Sequence, residues 1–181
     1  MRYASIRSLD ISNGEDVGIS LFVQGCHFHC DECFNKETWP YDAGREFTDK
    51  HIEKILYMLS RQYIKRISIL GGEPLCDENV SSVASLLTKI VDKFGYKKKI
   101  WIYTGYTYEQ IISQNYTDNA EKNRAMDARK RCISLCDVIV DGRFEKDKKD
   151  LSLAFRGSSN QRIIDAKQSL VYGSVVPYEL K

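Results

Sequence analysis

Short runs of β-branched and aliphatic residues alternate along the chain with longer segments in which apolar residues recur at helical spacing. The apolar runs predict strands at 19–23, 67–70, 100–103 and 138–140. The longer segments predict one helix that is capped by Thr48 and a second that is capped by Asn79 and ends before Gly95. Strands that alternate with helices favour parallel pairing through right-handed crossovers, so we expect an α/β fold, either a sheet or a partly closed barrel.

Residues suited to ligand binding follow the four predicted strands. They are Cys26, Gly72, Thr104 and Asp141. Because ligands in α/β folds gather at the carboxyl ends of the strands, we expect these residues to meet at one rim of the sheet. The sequence therefore predicts a single ligand site built from separate segments of the chain.

The length and composition fit one domain that spans residues 1–181. The chain has 181 residues and a hydrophobic content of 43%, which is enough to bury a continuous core. Residues 115–131 are polar and are expected to form an exposed insertion or a solvated helix. Residues 163–181 are expected to form a C-terminal tail.

Charge and hydropathy argue against several kinds of partner. The 27 basic and 25 acidic residues leave a net charge of +2, which favours neither nucleic acid nor an anionic membrane. The N-terminus lacks the apolar run of a secretion signal, and no segment has the ~20 consecutive apolar residues of a membrane span. We therefore expect a cytoplasmic protein that recognises its partners locally.

Three of the six cysteines stand close together after the first predicted strand. Cys26, Cys30 and Cys33 have the spacing C-x3-C-x2-C, so one loop can present three thiolates to one site. In a reducing compartment such cysteines indicate metal binding or redox chemistry. Three thiolates would hold a [4Fe-4S] cluster and leave one iron open to an exogenous ligand, whereas electron-carrying clusters normally take four cysteines.

An open iron near a glycine pair at a strand end indicates S-adenosylmethionine (SAM) as the exogenous ligand. The iron would chelate the amino and carboxylate groups of SAM, and an electron would split its sulfonium into methionine and a 5'-deoxyadenosyl radical. Gly71 and Gly72 would let the backbone approach SAM closely, and Glu73 would accept from its amino group. Thr104 and Asp141 would hydrogen-bond the ribose or methionine groups or, alternatively, cap the turns that follow them.

Zinc is the alternative occupant of the cysteine loop. The fourth ligand of a closed Cys3His tetrahedron would then be His27, His29 or His51. The glycine pair favours the cluster, since a zinc knuckle has no use for glycines across a substrate pocket. A second metal could bind Cys132 and Cys136 on one helix face, but these residues and Cys76 are expected to be ordinary buried cysteines.

These motifs together resemble the activating proteins of the anaerobic, class III ribonucleotide reductases, which are compact members of the radical SAM superfamily. The likeness covers most of the chain. The C-x3-C-x2-C spacing marks the superfamily, and the string Arg-Gly-Ser-Ser-Asn-Gln at 156–161 points to this subgroup. The other segments that carry the resemblance are 10–14, 21–26, 34–39, 71–75, 101–106 and 140–144.

The resemblance implies a shortened, open (β/α) partial barrel of the radical SAM type, with one [4Fe-4S] cluster and SAM as cofactors. It implies that the cysteine triplet binds the cluster, that Glu32, Cys33 and Phe34 lie against SAM, and that Gly72 belongs to the SAM-binding loop. The implied activity is reductive cleavage of SAM with an electron from a flavodoxin-like donor. Hydrogen abstraction from a glycine in the large subunit of the reductase follows.

Three other functions share parts of this pattern. An activase of another glycyl-radical enzyme, such as pyruvate formate-lyase, would use the same cluster chemistry, although the 156–161 string favours the reductase. A radical SAM enzyme that acts on a small molecule is a second alternative. A non-enzymatic zinc-binding adaptor is a third, and its metal content separates it from the others.

Overall fold

The computed structural model describes residues 1–113 and 115–180. In these ranges a mixed sheet of seven strands packs against five α-helices, and no helix is both long and apolar enough to cross a membrane. The strands are β1 (Arg2–Asp10), β2 (Gly18–Val23), β3 (Arg45–Glu46), β4 (Arg66–Gly71), β5 (Lys99–Tyr103), β6 (Val138–Asp141) and β7 (Arg162–Asp165). The helices are α1 (Asp49–Leu59), α2 (Asp77–Phe94), α3 (Tyr108–Ile112), α4 (Ala120–Leu135) and α5 (Ala166–Tyr172).

The centre of the sheet is parallel and its outer strands are antiparallel. The strand order is β3-β1-β2-β4-β5-β6-β7, in which β2, β4, β5 and β6 run parallel. These are the strands predicted from the sequence, so the α/β class is confirmed. The strands β1, β3 and β7 pair antiparallel, and the sheet is open between β3 and β7.

Strand β5 is buried on both faces of the sheet. Ile100 and Ile102 pack in the main core with the helices, whereas Trp101 lies on the opposite face. There the ring of Trp101 meets Phe155 and Tyr178 at centroid distances of 5.5 and 5.6 Å. Burial on both sides accounts for the continuous apolar runs of the parallel strands. Tyr178 also ties the C-terminal segment to the sheet.

Two helix starts test the capping predictions. Thr48 is the N-cap of α1 and forms a capping box with His51, which confirms the first prediction. The prediction that Asn79 caps the second helix is wrong, because α2 begins at Asp77 and Asn79 lies in its first turn. The buried amide of Asn79 bonds backbone carbonyls of neighbouring loops instead. The end of α2 before Gly95 is confirmed.

Most of the polar segment 115–131 lies in α4, so of the two predicted forms it adopts the helix. Asn119 caps α4 by accepting from the backbone N–H groups of Glu121 and Lys122 at 3.0 Å each. The inner face of α4 buries Met126 and Arg129. The segment is therefore a partly solvated helix of the main fold.

Candidate active site

A cleft of about 430 Å³ opens at the carboxyl ends of the parallel strands. Small-molecule sites commonly measure ~300–1,000 Å³. The predicted site residues in its wall are Cys26, Cys30, Cys33, Phe34, Gly71, Gly72, Glu73 and Thr104. Glu32 and Asp141 are not part of the wall. The fold thus brings together predicted residues from the ends of β2, β4 and β5.

The cysteine loop, residues 24–35, leaves β2 and is held by backbone hydrogen bonds. Cys26 N donates to Trp39 O at 3.0 Å, and Cys33 N donates to Cys30 O at 3.1 Å. All three thiols are half-buried and line the cleft. Burial raises the pKa of the Cys26 thiol. The backbone N–H of Asn35 donates to Cys33 Sγ at 3.4 Å.

The thiols of this loop do not form a site for a single ion. Within the described ranges, no three His, Cys, Asp or Glu side chains are grouped compactly enough to hold one metal ion. A structural zinc site needs four ligands within about 2.0–2.3 Å of one ion. The ligands of a [4Fe-4S] cluster bind different irons and therefore lie farther apart.

The remaining cysteines are buried in the protein interior. Cys132 and Cys136 are 0% exposed, and Cys76 is 1% exposed. Cys136 Sγ lies 3.4 Å from Ile133 O at the end of α4 and donates to it. These are ordinary buried cysteines, as the sequence led us to expect.

The glycine loop after β4, residues 71–74, packs directly on the cysteine loop. Gly72 N donates to Val23 O at 2.9 Å, and Glu73 N donates to Gly25 O at 2.7 Å. A Cβ on Gly72 would lie 2.3 Å from Gly25 O, so a larger residue would displace one of the two loops. Gly71 has a φ of +104°, which few residues other than glycine adopt. The glycine pair is therefore required where the two loops meet.

Glu73 is a buried carboxylate, 1% exposed, that joins the ends of β4 and β5. Its Oε1 accepts from Leu75 N and Thr104 Oγ1 at 2.8 Å each, and its Oε2 accepts from Gly105 N at 2.7 Å. Burial raises the pKa of Glu73 to about 7, although these hydrogen bonds favour the ionised form. Thr104 Oγ1 also accepts from Tyr106 N at 3.1 Å, which is the turn cap that the sequence left as an alternative.

Asp141 is buried at the end of β6, where it anchors neighbouring elements. Its carboxylate accepts from Tyr108 N at 2.8 Å and from Arg162 Nε at 3.0 Å. Arg162 also pairs with Glu109 at 2.8 Å, and this hydrogen bond lowers the pKa of Glu109 to about 2. Asp141 therefore links α3 to β7.

Glu32 is exposed on the cysteine loop and pairs with two lysines. Its carboxylate is 3.0 Å from Lys146 Nζ and 3.7 Å from Lys149 Nζ, and the hydrogen bond with Lys146 lowers its pKa. Both lysines belong to the loop between β6 and β7. Glu32 thus joins this loop to the cysteine loop.

Two polar groups in the cleft wall have no hydrogen-bond partner among the described residues. They are Tyr103 Oη and Arg156 Nε, and both atoms are buried. An unpaired buried polar group is costly, so these groups suit a ligand that carries polar atoms, such as the carboxylate and ribose of SAM. Tyr103 was not among the predicted site residues. Its place at the end of β5, beside Thr104, is the signal that could have found it.

An apolar part of the cleft wall was also missed from the sequence. Leu151, Leu153 and Phe155 all line the cleft. They stand at every second position of the loop between β6 and β7. This alternation is the signal that could have indicated a common orientation.

Comparison with known proteins agrees with this geometry. Residues 12–164 match the family described as a 4Fe-4S single cluster domain. The chain is 37% identical over 163 residues to the anaerobic ribonucleoside-triphosphate reductase-activating protein of Escherichia coli (strain K12), which covers 89% of this chain and 96% of the relative. The chain belongs to the anaerobic ribonucleoside-triphosphate reductase-activating protein family. The protein of that name from Pasteurella multocida (strain Pm70) is 34% identical over 165 residues, which cover 90% of this chain and 96% of the relative. The one from Enterobacteria phage T4 is 33% identical over 163 residues, which cover 90% of this chain and 93% of the relative.

Membership of this activating-protein family confirms the resemblance that was drawn from the motifs. The matched region includes the whole cysteine loop and the whole glycine loop. It therefore supports an iron–sulfur cofactor for this chain. The Arg-Gly-Ser-Ser-Asn-Gln string is part of the same cleft, because Arg156, Gly157 and Gln161 line it. The string is held together by Gly157 N and Ser158 N, which both donate to Gln161 Oε1, at 2.9 and 3.2 Å.

Proposed function

We propose that this chain is a radical SAM activase of an anaerobic ribonucleotide reductase. One electron and SAM would give methionine and a 5'-deoxyadenosyl radical, and the radical would take a hydrogen atom from a glycine of the large reductase subunit. The products are 5'-deoxyadenosine and a glycyl radical. The observation that carries the proposal is the meeting of the cysteine loop and the glycine loop in one cleft.

The cleft residues fit the cofactor that this reaction needs. Cys26, Cys30 and Cys33 would hold a [4Fe-4S] cluster, which when bound supplies the electron and an iron open to SAM. The half-buried position of the thiols lets them bind a group that sits in the cleft itself. The backbone N–H of Asn35, which donates to Cys33 Sγ at 3.4 Å, helps to fix the position of that sulfur.

Residues from three strand ends would hold SAM beside the cysteine loop. Gly71 and Gly72 bring backbone to the cleft wall without side chains. Glu73 Oε2 accepts from Gly105 N, and a carboxylate oxygen has a second acceptor position, which we assign to the amino group of SAM. We assign the unpaired Tyr103 Oη and Arg156 Nε to oxygen atoms of SAM.

The other predicted residues would act on SAM by position or by packing. Phe34 lines the cleft with an aromatic ring that can pack against SAM. Thr104 holds the Glu73 carboxylate at 2.8 Å. We assign Asp141 a positioning role because its carboxylate accepts from Tyr108 N and Arg162 Nε. We assign Glu32 a role in fixing the cysteine loop before Cys33, because it pairs with Lys146.

We also propose that the open sheet is a shortened (β/α) partial barrel of the radical SAM type. Its parallel strands β2, β4, β5 and β6 carry the site at their carboxyl ends, as in (β/α) barrels. The sheet does not close between its edge strands β3 and β7. A protein segment of the reductase could enter the cleft.

The large reductase subunit is the proposed protein substrate, and a flavodoxin-like protein the proposed electron donor. The names of the relatives favour the reductase over pyruvate formate-lyase as the target. The match to the family described as a 4Fe-4S single cluster domain favours the activase over the zinc adaptor.

The proposal is tested by anaerobic reconstitution with iron and sulfide, followed by incubation with SAM and dithionite. We expect bound iron and sulfide and the formation of 5'-deoxyadenosine. Cys30→Ala should abolish both, because it removes one of three cluster ligands, whereas the control Cys132→Ala removes a cysteine outside the cleft and should keep both. A protein that binds zinc, holds no iron and leaves SAM intact would overturn the proposal.

A further inference from the structure

The loop between β6 and β7 presents apolar side chains at the mouth of the cleft. Its two arms pair through Asp150 N to Gly157 O at 3.1 Å and Ser159 N to Lys148 O at 2.9 Å. Residues 151–156 form the tip between these arms. At this tip Leu151 lines the cleft and is nevertheless 81% exposed.

The loop between β6 and β7 is joined to the cysteine loop by aromatic packing. The rings of Phe34 and Phe144 meet edge to face with centroids 5.3 Å apart. Phe34 is itself 55% exposed and lies against Gly157, where a Cβ would come within 2.9 Å of its ring. Phe34, Phe144, Leu151 and Leu153 line the cleft together, and we call these four residues the apolar lip.

An exposed apolar surface beside an active cleft calls for an occupant. A small cofactor is typically enclosed over about 70–90% of its surface, so it belongs in the inner cleft. Leu151 is too exposed to be part of such an enclosure. The occupant of the lip must therefore extend out of the cleft.

The proposed substrate has this property. A glycine residue offers no side chain to bind, so the affinity for a glycine-bearing segment must come from its neighbours. Interactions remote from the reacting atom commonly supply the binding energy that positions it. Apolar side chains that flank the glycine would meet the lip while the glycine itself reaches the cleft.

We propose that the apolar lip is the docking surface for the apolar residues that flank the target glycine of the reductase large subunit. This inference rests on the proposed function. The lip is continuous with the candidate cleft, because its four residues form part of the cleft wall. Leu151 is the outermost of the four and the residue whose loss changes the cleft least.

The test compares Leu151→Ser with wild type in two assays of the reconstituted protein. With the reductase present, glycyl radical formation should show a KM for the large subunit raised about tenfold, the effect of losing one partly buried leucine contact. Without the reductase, dithionite-driven formation of 5'-deoxyadenosine should keep its rate and its KM for SAM. Leu151→Met, which keeps an apolar side chain, should restore most of the affinity.

Val171→Ser is the matched control. Val171 is 82% exposed on α5 and does not line the cleft. Its replacement should therefore change neither the KM for the large subunit nor the KM for SAM. Phe34, at the inner end of the lip, can touch both SAM and the segment, but a raised KM for SAM in Leu151→Ser would assign the outer lip to the SAM site as well and overturn the inference. An unchanged KM for the reductase would overturn it as well. Failure of the wild-type protein to cleave SAM would contradict the proposed function, and the inference with it.

Discussion

Single residues decide how the two loops of the site meet. Gly72 lies so close to Gly25 that a side chain at position 72 has no room. Gly25 directly precedes Cys26, the first cysteine of the cysteine loop. The glycine pair was expected to matter through its approach to SAM. The structure adds that Gly72 also determines where Cys26 stands.

Gly72→Ala should therefore lower both the iron content after reconstitution and the rate of SAM cleavage. The added methyl group would press on Gly25 O and displace the cysteine loop. Iron analysis and a 5'-deoxyadenosine assay check this. In the control Gly95→Ala the new Cβ meets nothing within 4 Å, so it should cost stability of about 1 kcal/mol through its positive φ and leave the iron content unchanged. Full iron loading of Gly72→Ala would contradict the account.

Glu73 makes the stability of the protein depend on pH. Its folded pKa of about 7 lies above its ordinary value of 4.5, because burial disfavours the charged form. The contribution of protonated Glu73 to the free energy of unfolding is complete below about pH 4.5 and is lost as the pH rises to about 7. The advantage of wild type over Glu73→Gln in free energy of unfolding should therefore shrink across this window.

Urea denaturation of both proteins at a series of pH values measures this difference. Glu53→Gln, at an exposed position of α1, is the control and should show no such trend relative to wild type. If the free energy of unfolding of wild type, relative to Glu73→Gln, instead grows between pH 4.5 and 7, the prediction is wrong. Glu73 would then be ionised throughout this range in the folded state.

At the scale of elements, the start of α2 holds the glycine loop in place. Asn79 Nδ2 donates to Gln24 O at 2.9 Å and to Glu73 O at 3.1 Å, so it joins α2 to both loops of the site. From the other side, Arg129 Nε of α4 donates to Leu75 O at 2.7 Å. Both helices therefore support the site through buried side-chain hydrogen bonds.

Asn79→Ala should destabilise the protein by about 1–3 kcal/mol, because it leaves buried carbonyl oxygens without a donor. The free energy of unfolding from urea denaturation measures the effect. Ser81→Ala, at an exposed position of the same helix, should change it by no more than about 0.5 kcal/mol. Equal values for the two variants would show that the Asn79 bonds contribute no net stability.

At the scale of the whole molecule, the parallel centre of the sheet could be predicted and its edges could not. The strands β2, β4, β5 and β6 are buried on both faces, and such strands appear in a sequence as continuous apolar runs. Strand β1, which lies between β2 and the two-residue edge strand β3, carries exposed polar residues such as Arg7. The edge strand β7 has only four residues, in a segment interpreted as a tail. Neither has a local signal strong enough to predict its pairing.

Some residues of the candidate site could likewise be predicted from the sequence and others could not. The cysteines could be found because one loop holds all three at a recognisable spacing, and Gly72 because it follows a predicted strand. Tyr103 and Leu151 could not, since their place in the cleft depends on how distant segments fold together. Asn79 was misjudged because a residue typical of helix caps serves here as a buried donor.

The central claim is that this chain cleaves SAM to a radical, which then takes a hydrogen atom from a glycine of the reductase. Electron paramagnetic resonance of the reductase large subunit, after anaerobic incubation with the reconstituted protein, SAM and a reductant, tests it most directly. The account predicts a glycyl radical signal that requires SAM, disappears with Cys30→Ala, and is accompanied by about one 5'-deoxyadenosine for each radical formed. Cleavage of SAM without any glycyl radical on the reductase would contradict it.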